Sequence, residues 1–478
     1  MAEENQRQLR YETLADFVSG LVELGTLQAG MRAPSLRSLA QQHGTSISTA
    51  QQAYRLLEDR GVLEARPKSG FYIRPGSAVG LERPALSQPP QAASLIAIGG
   101  VLDLLEQGAS PDLAPLGCAV PDAKLLAAGR LDRFLARAAR NKGTQYNSYM
   151  EPRGLLDLRQ QIARRALRWG QALAPEDLVI TYGCTEALSL ALSAVTRPGD
   201  TVAIESPTYF GLLQTLESKG LKALELPTHA TDGLDLDALS SALERHPVRA
   251  CLFSSSFNNP LGCLMPDDKK RALVRILAEH DVPLIEDDIY GDIYFGETRP
   301  KPFLALAPDA DILYCSSFSK VLAPGYRVGW LATKRHLTRA LEAKFANTLC
   351  GAVLPQAALA DFLSSGGYDN HLRRMRRVFA QNIDRMTRAV ARHFPASTKI
   401  TRPAGGFVLW LELPPQFDSR AVYALALKEG VCFAPGDVFS ASDRYRHCLR
   451  LSCGHTWDAS LEAAVETLGR LVGAATAH

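Results

Sequence analysis

Five short apolar runs constrain this chain more than any other feature. "DLVITYG", "TVAIESP", "ACLFSSS", "VPLIEDD" and "DILYCSSFS" are rich in β-branched or other apolar residues, and each closes on small or polar ones. A stretch with helical periodicity separates each run from the next. A strand that is apolar on both faces must be covered on both, and intervening helices supply that cover. The pattern predicts an α/β domain with a mostly parallel, buried central sheet over residues 111–478. Its large part spans about 150–345 and a smaller α+β part about 346–478. Ligands of such sheets sit outside the carboxyl ends of the strands, so the polar residues closing these runs are the first candidates for chemistry.

At 478 residues the chain is too long for one core. Residues 77–110 change character: "PGSAVGLERPALSQPPQAAS" is rich in Pro, Ala, Gly and Ser and reads as a linker. Nine cysteines are scattered without a Cys-x-x-Cys pair or metal-ligand spacing, which implies a reducing cytoplasm and no metal. The polar start "MAEENQRQLR" has no signal-peptide h-region, and no apolar run reaches the roughly 18 residues of a membrane span. A soluble, cytoplasmic protein is expected.

Residues 10–76 form a separate module. "ETLADFVSGLVELGTL" places Leu14, Phe17, Val18, Leu21 and Val22 at helical spacing, with Gly25 to end the helix. "APSLRSLAQQHG" begins near Ser35, turns Leu36, Leu39 and Ala40 inward, and breaks at Gly44. "TSISTAQQAYRLLEDRG" buries Ala50, Ala53, Tyr54 and Leu57, and "GVLEARPKSGFYIRP" reads as a hairpin with Lys68-Ser69-Gly70 at its tip. Helix, helix-turn-helix and hairpin in this order make a winged helix-turn-helix, an α+β module that binds double-stranded DNA. Ser46, Ser48 and Thr49 would face base edges, while Arg32, Ser35, Arg37, Arg66 and Lys68 would meet phosphates, with Gly70 in the wing. Residues 1–75 carry nine Lys or Arg against eight Asp or Glu, so motif order rather than bulk charge supports DNA binding. The stretch "MRAPSLRSLAQQHGTSISTAQQAYRLLEDRGVLEARPKSGFYI" resembles the GntR-type winged helix. It departs at Ile47, where that family usually has a polar or basic residue.

Lys320 stands in "SSFSKVLAPGYRVGW", directly after the apolar run "DILYC". A lysine at the carboxyl end of a buried strand is partly desolvated, which lowers its pKa and frees the neutral amine for imine formation with an aldehyde. Pyridoxal phosphate is the aldehyde used in this way. Its phosphate needs amides and a cation. Gly183, Cys184 and Thr185 open a helix, and Ser317, Ser319 and Arg327 would complete the cup. Its pyridinium nitrogen needs a carboxylate, and Asp287 in "LIEDDIYGD" would supply it. Tyr290 and Asn259 would hydrogen-bond the phenolic oxygen, and Tyr209 would stack on the ring.

Together "YMEPRGLLDLR", "TYGCTEAL", "SPTYFG", "NNPLG", "EDDIYGD", "SSFSKVLAPGYRVGW", "PAGGFVLWLEL" and "LRLSC" resemble the fold-type I aminotransferases over residues 111–478. The resemblance implies that Lys320 carries the internal aldimine and shuttles a proton, with Asp287 and Tyr290 as catalytic partners. It also implies that Arg450 grips a substrate carboxylate. Tyr149 would reach the phosphate of a neighbouring subunit, so a homodimer follows. A winged helix joined by a linker to such a domain resembles the MocR subfamily of GntR-type regulators, in which the cofactor domain senses pyridoxal phosphate or an amino acid or amine ligand. Two other readings are open: an active aminotransferase using a 2-oxo acid, with an appended DNA-binding domain, and a DNA-binding protein whose large domain only dimerises.

Overall fold

The computed structural model describes residues 2–476, apart from 24–26, 28–30, 60, 61, 67, 68, 74–80, 91, 97, 98, 100, 109 and 443. The chain forms two compact units, Met1–Glu82 with Asp384–Thr398, and Arg83–Ile383 with Lys399–His478.

In the smaller unit, α1 (Ala2–Glu23), α2 (Leu36–Gln42) and α3 (Ile47–Asp59) precede a hairpin of β1 (Leu63–Arg66) and β2 (Gly70–Ile73). The two strands pair antiparallel, with Leu63 opposite Ile73 and Arg66 opposite Gly70. Helical spacing turns Leu14, Val18, Leu39, Ala53, Tyr54 and Leu57 onto one buried cluster, which Leu63 and Ile73 close from the hairpin. Phe17, expected on that face, is instead exposed, with its ring 4.4 Å from that of His43. It falls at the margin of the Leu14–Val18 stripe, beside rather than within the buried cluster. The Ser35 side chain caps α2 by accepting from the Ser38 N–H at 3.1 Å, and Gly44 makes the left-handed turn towards α3 at φ 60°. The Tyr54 hydroxyl donates to the Pro34 carbonyl at 2.6 Å and ties α3 to the entry of α2. Gly25, expected to end α1, lies outside the described residues.

The larger unit is built on a mixed, mostly parallel sheet of nine strands among the described residues. Across it run Ser94–Leu95, Lys222–His229, Thr201–Ser206, Val248–Phe253, Leu284–Asp287, Ile312–Ser317, Gly329–Ala332 and Leu178–Thr181, with Gly233–Leu234 pairing off Lys222–His229. Lys222–His229 through Ile312–Ser317 are parallel, and Gly329–Ala332 is antiparallel to both its neighbours. Val179, Ile204, Leu252, Ile285 and Leu313 pack in one core with the helix Cys184–Val195. Leu178–Thr181, antiparallel to Gly329–Ala332 in turn, runs with those five, so six strands share one direction and the polar residues that close the five apolar runs converge on one edge. A second, antiparallel sheet orders Lys399–Ile400, Val408–Glu412, Cys448–Ser452 and Ala434–Pro435 and holds Arg450 between Trp410 and Ala434.

The described residues among 83–108, expected as part of a linker, are built into this unit. Ser87 Oγ accepts from the Thr228 N–H at 2.8 Å, and Ser94–Leu95 extends the main sheet by pairing with Lys222–His229. Ile96 joins the main core, while Val101 and Leu104 of the helix Val101–Gly108 pack with Phe210, Cys432 and Phe439. Composition underrated these few apolar residues because each finds a preformed apolar partner.

Candidate cofactor site and nucleic-acid interface

At the shared edge of the main sheet lies a cleft of about 280 Å³. Cys184, Thr185, Tyr209, Asn259, Asp287, Tyr290, Ser319, Lys320, Arg327 and Arg450 line it, so ten of the residues singled out in the sequence come together there. Gly183, with φ 81°, stands one residue outside as the N-cap of Cys184–Val195. A Cβ on Gly183 would lie 2.8 Å from Arg327 Nη2, so the bare glycine leaves the guanidinium its place. Arg327 itself takes the left-handed φ of 52° after Pro324-Gly325-Tyr326 and donates to the Tyr182 carbonyl at 3.0 Å. The turn therefore returns the arginine to the helix N-terminus, where an anion is favoured.

Lys320 follows Ile312–Ser317, is half-buried, and donates from Nζ to the Ala119 carbonyl at 2.7 Å. Burial, then the positive charge of Arg450, lowers its pKa to about 8. Burial raises Asp287 to about 6, and its Oδ1 accepts from Cys184 Sγ at 3.4 Å and from the Ile289 N–H at 3.2 Å. Neighbours in the same "EDD" do other work. Glu286 accepts from Ser255 and from the Phe303 and Leu304 amides, capping a short helix, and Asp288 pairs with Arg299 at 2.5 Å. Only Asp287 of the three lines the cleft.

Arg450 is buried on its strand; its Nη1 donates to Asn259 Oδ1 at 3.3 Å and its Nη2 to the Gly117 carbonyl. Its Nε is buried and has no partner. A buried guanidinium with an open donor fits a carboxylate. The donor set also fits pyridoxal phosphate: a lysine amine near neutrality, a buried carboxylate, and an anion cup of helix N-terminus, serine hydroxyl and arginine.

One expected contributor lies elsewhere. Ser317 does not line the cleft; its hydroxyl sits 2.8 Å from Ser319 Oγ and 3.1 Å from the Val328 carbonyl, and it accepts from the Ser319 N–H at 3.0 Å. It follows from strand alternation that Ser317 and its neighbours cannot all face one side. Tyr149, expected to reach a neighbouring subunit rather than its own chain's cleft, is 85% exposed. Sequence reading missed Glu205, Cys118, Ala119, Val120 and Leu105, all of which line the cleft. Glu205 had a signal, an acid closing the wholly buried run Thr201–Ser206; burial raises it to about 8. Cys118–Val120 and Leu105 had none, because tertiary packing alone brings them to the cleft.

On the smaller unit Arg32, Arg37, Ile47 and Ser48 are exposed. Ile47, 50% exposed, opens the second helix of the helix-turn-helix. Thr49, expected to face base edges, is 7% exposed and turns inward, while Ser46 is bonded to Ser48, Thr49 and the Thr49 N–H. Ser35 is spent on its cap. Arg66 pairs with Glu64 at 2.7 Å and lies over the Tyr72 ring, and the Arg32 guanidinium packs on Gly70. Lys68 lies outside the described residues.

A family profile described as "Aminotransferase class I and II" matches residues 121–468, and one described as "Bacterial regulatory proteins, gntR family" matches residues 10–73. The uncharacterized HTH-type transcriptional regulator YjiR of Escherichia coli is 37% identical over 97% of this chain and 98% of its own length. The chain belongs to the MocR subfamily of GntR-type regulators. A MocR chain of this kind joins a DNA-binding winged helix to a fold-type I aminotransferase domain, and membership implies pyridoxal phosphate as cofactor. Its large domain is also similar to the 2-aminoadipate transaminase of Thermus thermophilus, at 32% identity over 80% of this chain and 95% of the relative. The crystal structure of LysN, the α-aminoadipate aminotransferase of that organism, complexed with N-(5'-phosphopyridoxyl)-L-leucine, superposes with a TM-score of 0.75. The two are 30% identical, and the match covers 80% of this chain and 96% of that one. Among the described residues, no helix of this MocR-type regulator is long and apolar enough to cross a membrane.

Proposed function

We propose that this protein is a cytoplasmic, homodimeric transcriptional regulator whose large domain senses pyridoxal phosphate or an amino acid or amine at the Lys320 cleft. One observation carries the reading: Lys320, Asp287 and Arg450 line a single buried cleft in a chain that also carries a winged helix. When bound, the cofactor supplies an aldehyde for an amine and an electron-withdrawing ring. The residues divide the rest. Lys320, half neutral near pH 8, offers its amine and afterwards holds or moves a proton at Nζ. Asp287 meets the ring nitrogen, Tyr290 and Asn259 the phenolic oxygen, and Tyr209 the ring face. Gly183, Cys184, Thr185, Ser319 and Arg327 hold the phosphate, with Tyr149 reaching the cleft of a partner subunit. Arg450 binds the ligand carboxylate. On the smaller unit Arg32 and Arg37 meet DNA phosphates, while Ile47 and Ser48 meet base edges in the major groove.

Sensing requires a ligand with different affinity for two states of the protein, since a ligand that binds both equally shifts nothing. The test is fluorescence anisotropy of the DNA upstream of the protein's own gene, at fixed salt, with and without pyridoxal phosphate, against an unrelated DNA of equal length. Preference for the upstream DNA that the cofactor shifts is expected. No preference in either state would count against the regulator. A second reading, a working aminotransferase, is favoured by the unpartnered Arg450 Nε in a complete cleft; turnover of a 2-oxo acid would support it.

A further inference from the structure

Lys320 and Arg450 are both held by one short stretch of backbone. The lysine amine donates to the Ala119 carbonyl and the guanidinium to the Gly117 carbonyl. A ligand whose carboxylate meets Arg450 and whose nitrogen meets the Lys320 end therefore lies along Gly117–Val120, and its side chain is left the mouth of the cleft. Val120, 43% exposed, and Leu105, 42% exposed, line the cleft with the water-facing apolar surface that such a mouth needs. Leu105 is held firmly, because Val101, one turn before it, and Leu104 anchor its helix among Phe210, Cys432 and Phe439.

Charge leads to the same place. Among the described residues the cations lining the cleft are Lys320, Arg327 and Arg450. Arg327 belongs to the anion cup beside Gly183, and the ligand's own two ends occupy the other two. No cation remains for a second carboxylate. The lining acids are Asp287, bonded to Cys184 and the Ile289 amide, and the buried Glu205, bonded to the Ser254 amide and Asn258. A side-chain ammonium at the mouth would have to compete with these bonds for either acid, and a charge that loses water without a partner is penalised.

We propose that the cleft selects α-amino acids with apolar, uncharged side chains, read by Leu105 and Val120. The proposal rests on the reading of the cleft as an amino-acid site. Its test uses the full chain loaded with pyridoxal phosphate, titrated by calorimetry and by visible absorbance with leucine, methionine, 2-aminoadipate, glutamate and lysine. Leucine or methionine should bind at least about tenfold more tightly than 2-aminoadipate, the scale of one or two methylenes in an apolar pocket. Leu105→Arg should reverse that order, read on variant protein whose visible absorbance shows it loaded with cofactor. Tighter binding of the dicarboxylic or diamino acids by the native chain would overturn the class and leave the sensor reading intact. A preference unmoved by Leu105→Arg would remove Leu105 from the subsite. Binding of none of the five by a protein that visibly holds its cofactor would overturn this class and the reading of the cleft as an amino-acid site together.

Discussion

In the cleft, Glu205 and Arg450 are buried and Lys320 and Asp287 half-buried, and desolvation shifts the pKa of each. On the winged helix, Arg32, Arg37, Ile47 and Ser48 stay in water, and the hydroxyls of Ser35 and Ser46 are spent on their own backbone. The two regions therefore bind by different physics. A buried cleft acts through fixed geometry and weak dielectric screening, so one lost group removes a function. An exposed cationic face acts through counterion release, so one lost group trims affinity and salt dependence.

The largest expected effect falls in the cleft. Lys320→Ala should abolish the absorbance of the bound cofactor in the visible and near ultraviolet while nonspecific DNA binding persists; a coloured variant would show that another lysine is used. Arg450→Ala should weaken amino acid binding by about a hundredfold, the scale for truncating one partner of a buried charge pair, and leave the cofactor absorbance unchanged. If affinity falls less than about fivefold, Arg450 is not the carboxylate anchor.

The pH response follows from Lys320. Its folded pKa, about 8, lies below the ordinary value, so the neutral amine appears at lower pH than for a free lysine. Cofactor capture by the unloaded protein should then speed up by about tenfold between pH 7 and pH 9 and level off above that. A rate still climbing about tenfold per pH unit near pH 9.5 would mean that burial has not shifted the lysine.

Smaller effects belong to the exposed face. Ile47→Ala should cost at most about tenfold in preference for the upstream DNA, read as the ratio of anisotropy midpoints on the two DNAs. An unchanged ratio would place Ile47 away from the bases. Arg37→Ala should weaken binding to both DNAs alike and reduce the salt slope by about 1; an unchanged slope would remove Arg37 from the phosphate contacts. The smallest effect tests the scaffold: Tyr54→Phe removes the bond to the Pro34 carbonyl and should cost the smaller unit about 1 kcal/mol in chemical denaturation.

The same contrast explains what could be read in advance. Strand ends of a parallel sheet converge by rule, so "TYGCT", "SPTYFG", "EDD" and "SSFSK" could be assigned to one site from their order alone. Residues on an exposed helix have no such rule. Ser46, Ser48 and Thr49 looked equivalent, but capping drew Ser46 onto its own helix and burial took Thr49 inward, leaving Ile47 beside Ser48.

By itself the sequence determined the two-part architecture, the parallel sheet, the lysine and its cofactor. Those follow from periodicity and from the chemical needs of an imine-forming site, which are local to each motif. Tertiary structure alone decided which of three consecutive acids lines the cleft, that Ser317 supports Ser319 from behind, and that residues 83–108 dock rather than link. It also brought Leu105, Cys118 and Val120 to the cleft. The reason is physical: a side chain's face within an element is set by periodicity, but its neighbours across elements are set by packing, and no motif encodes them.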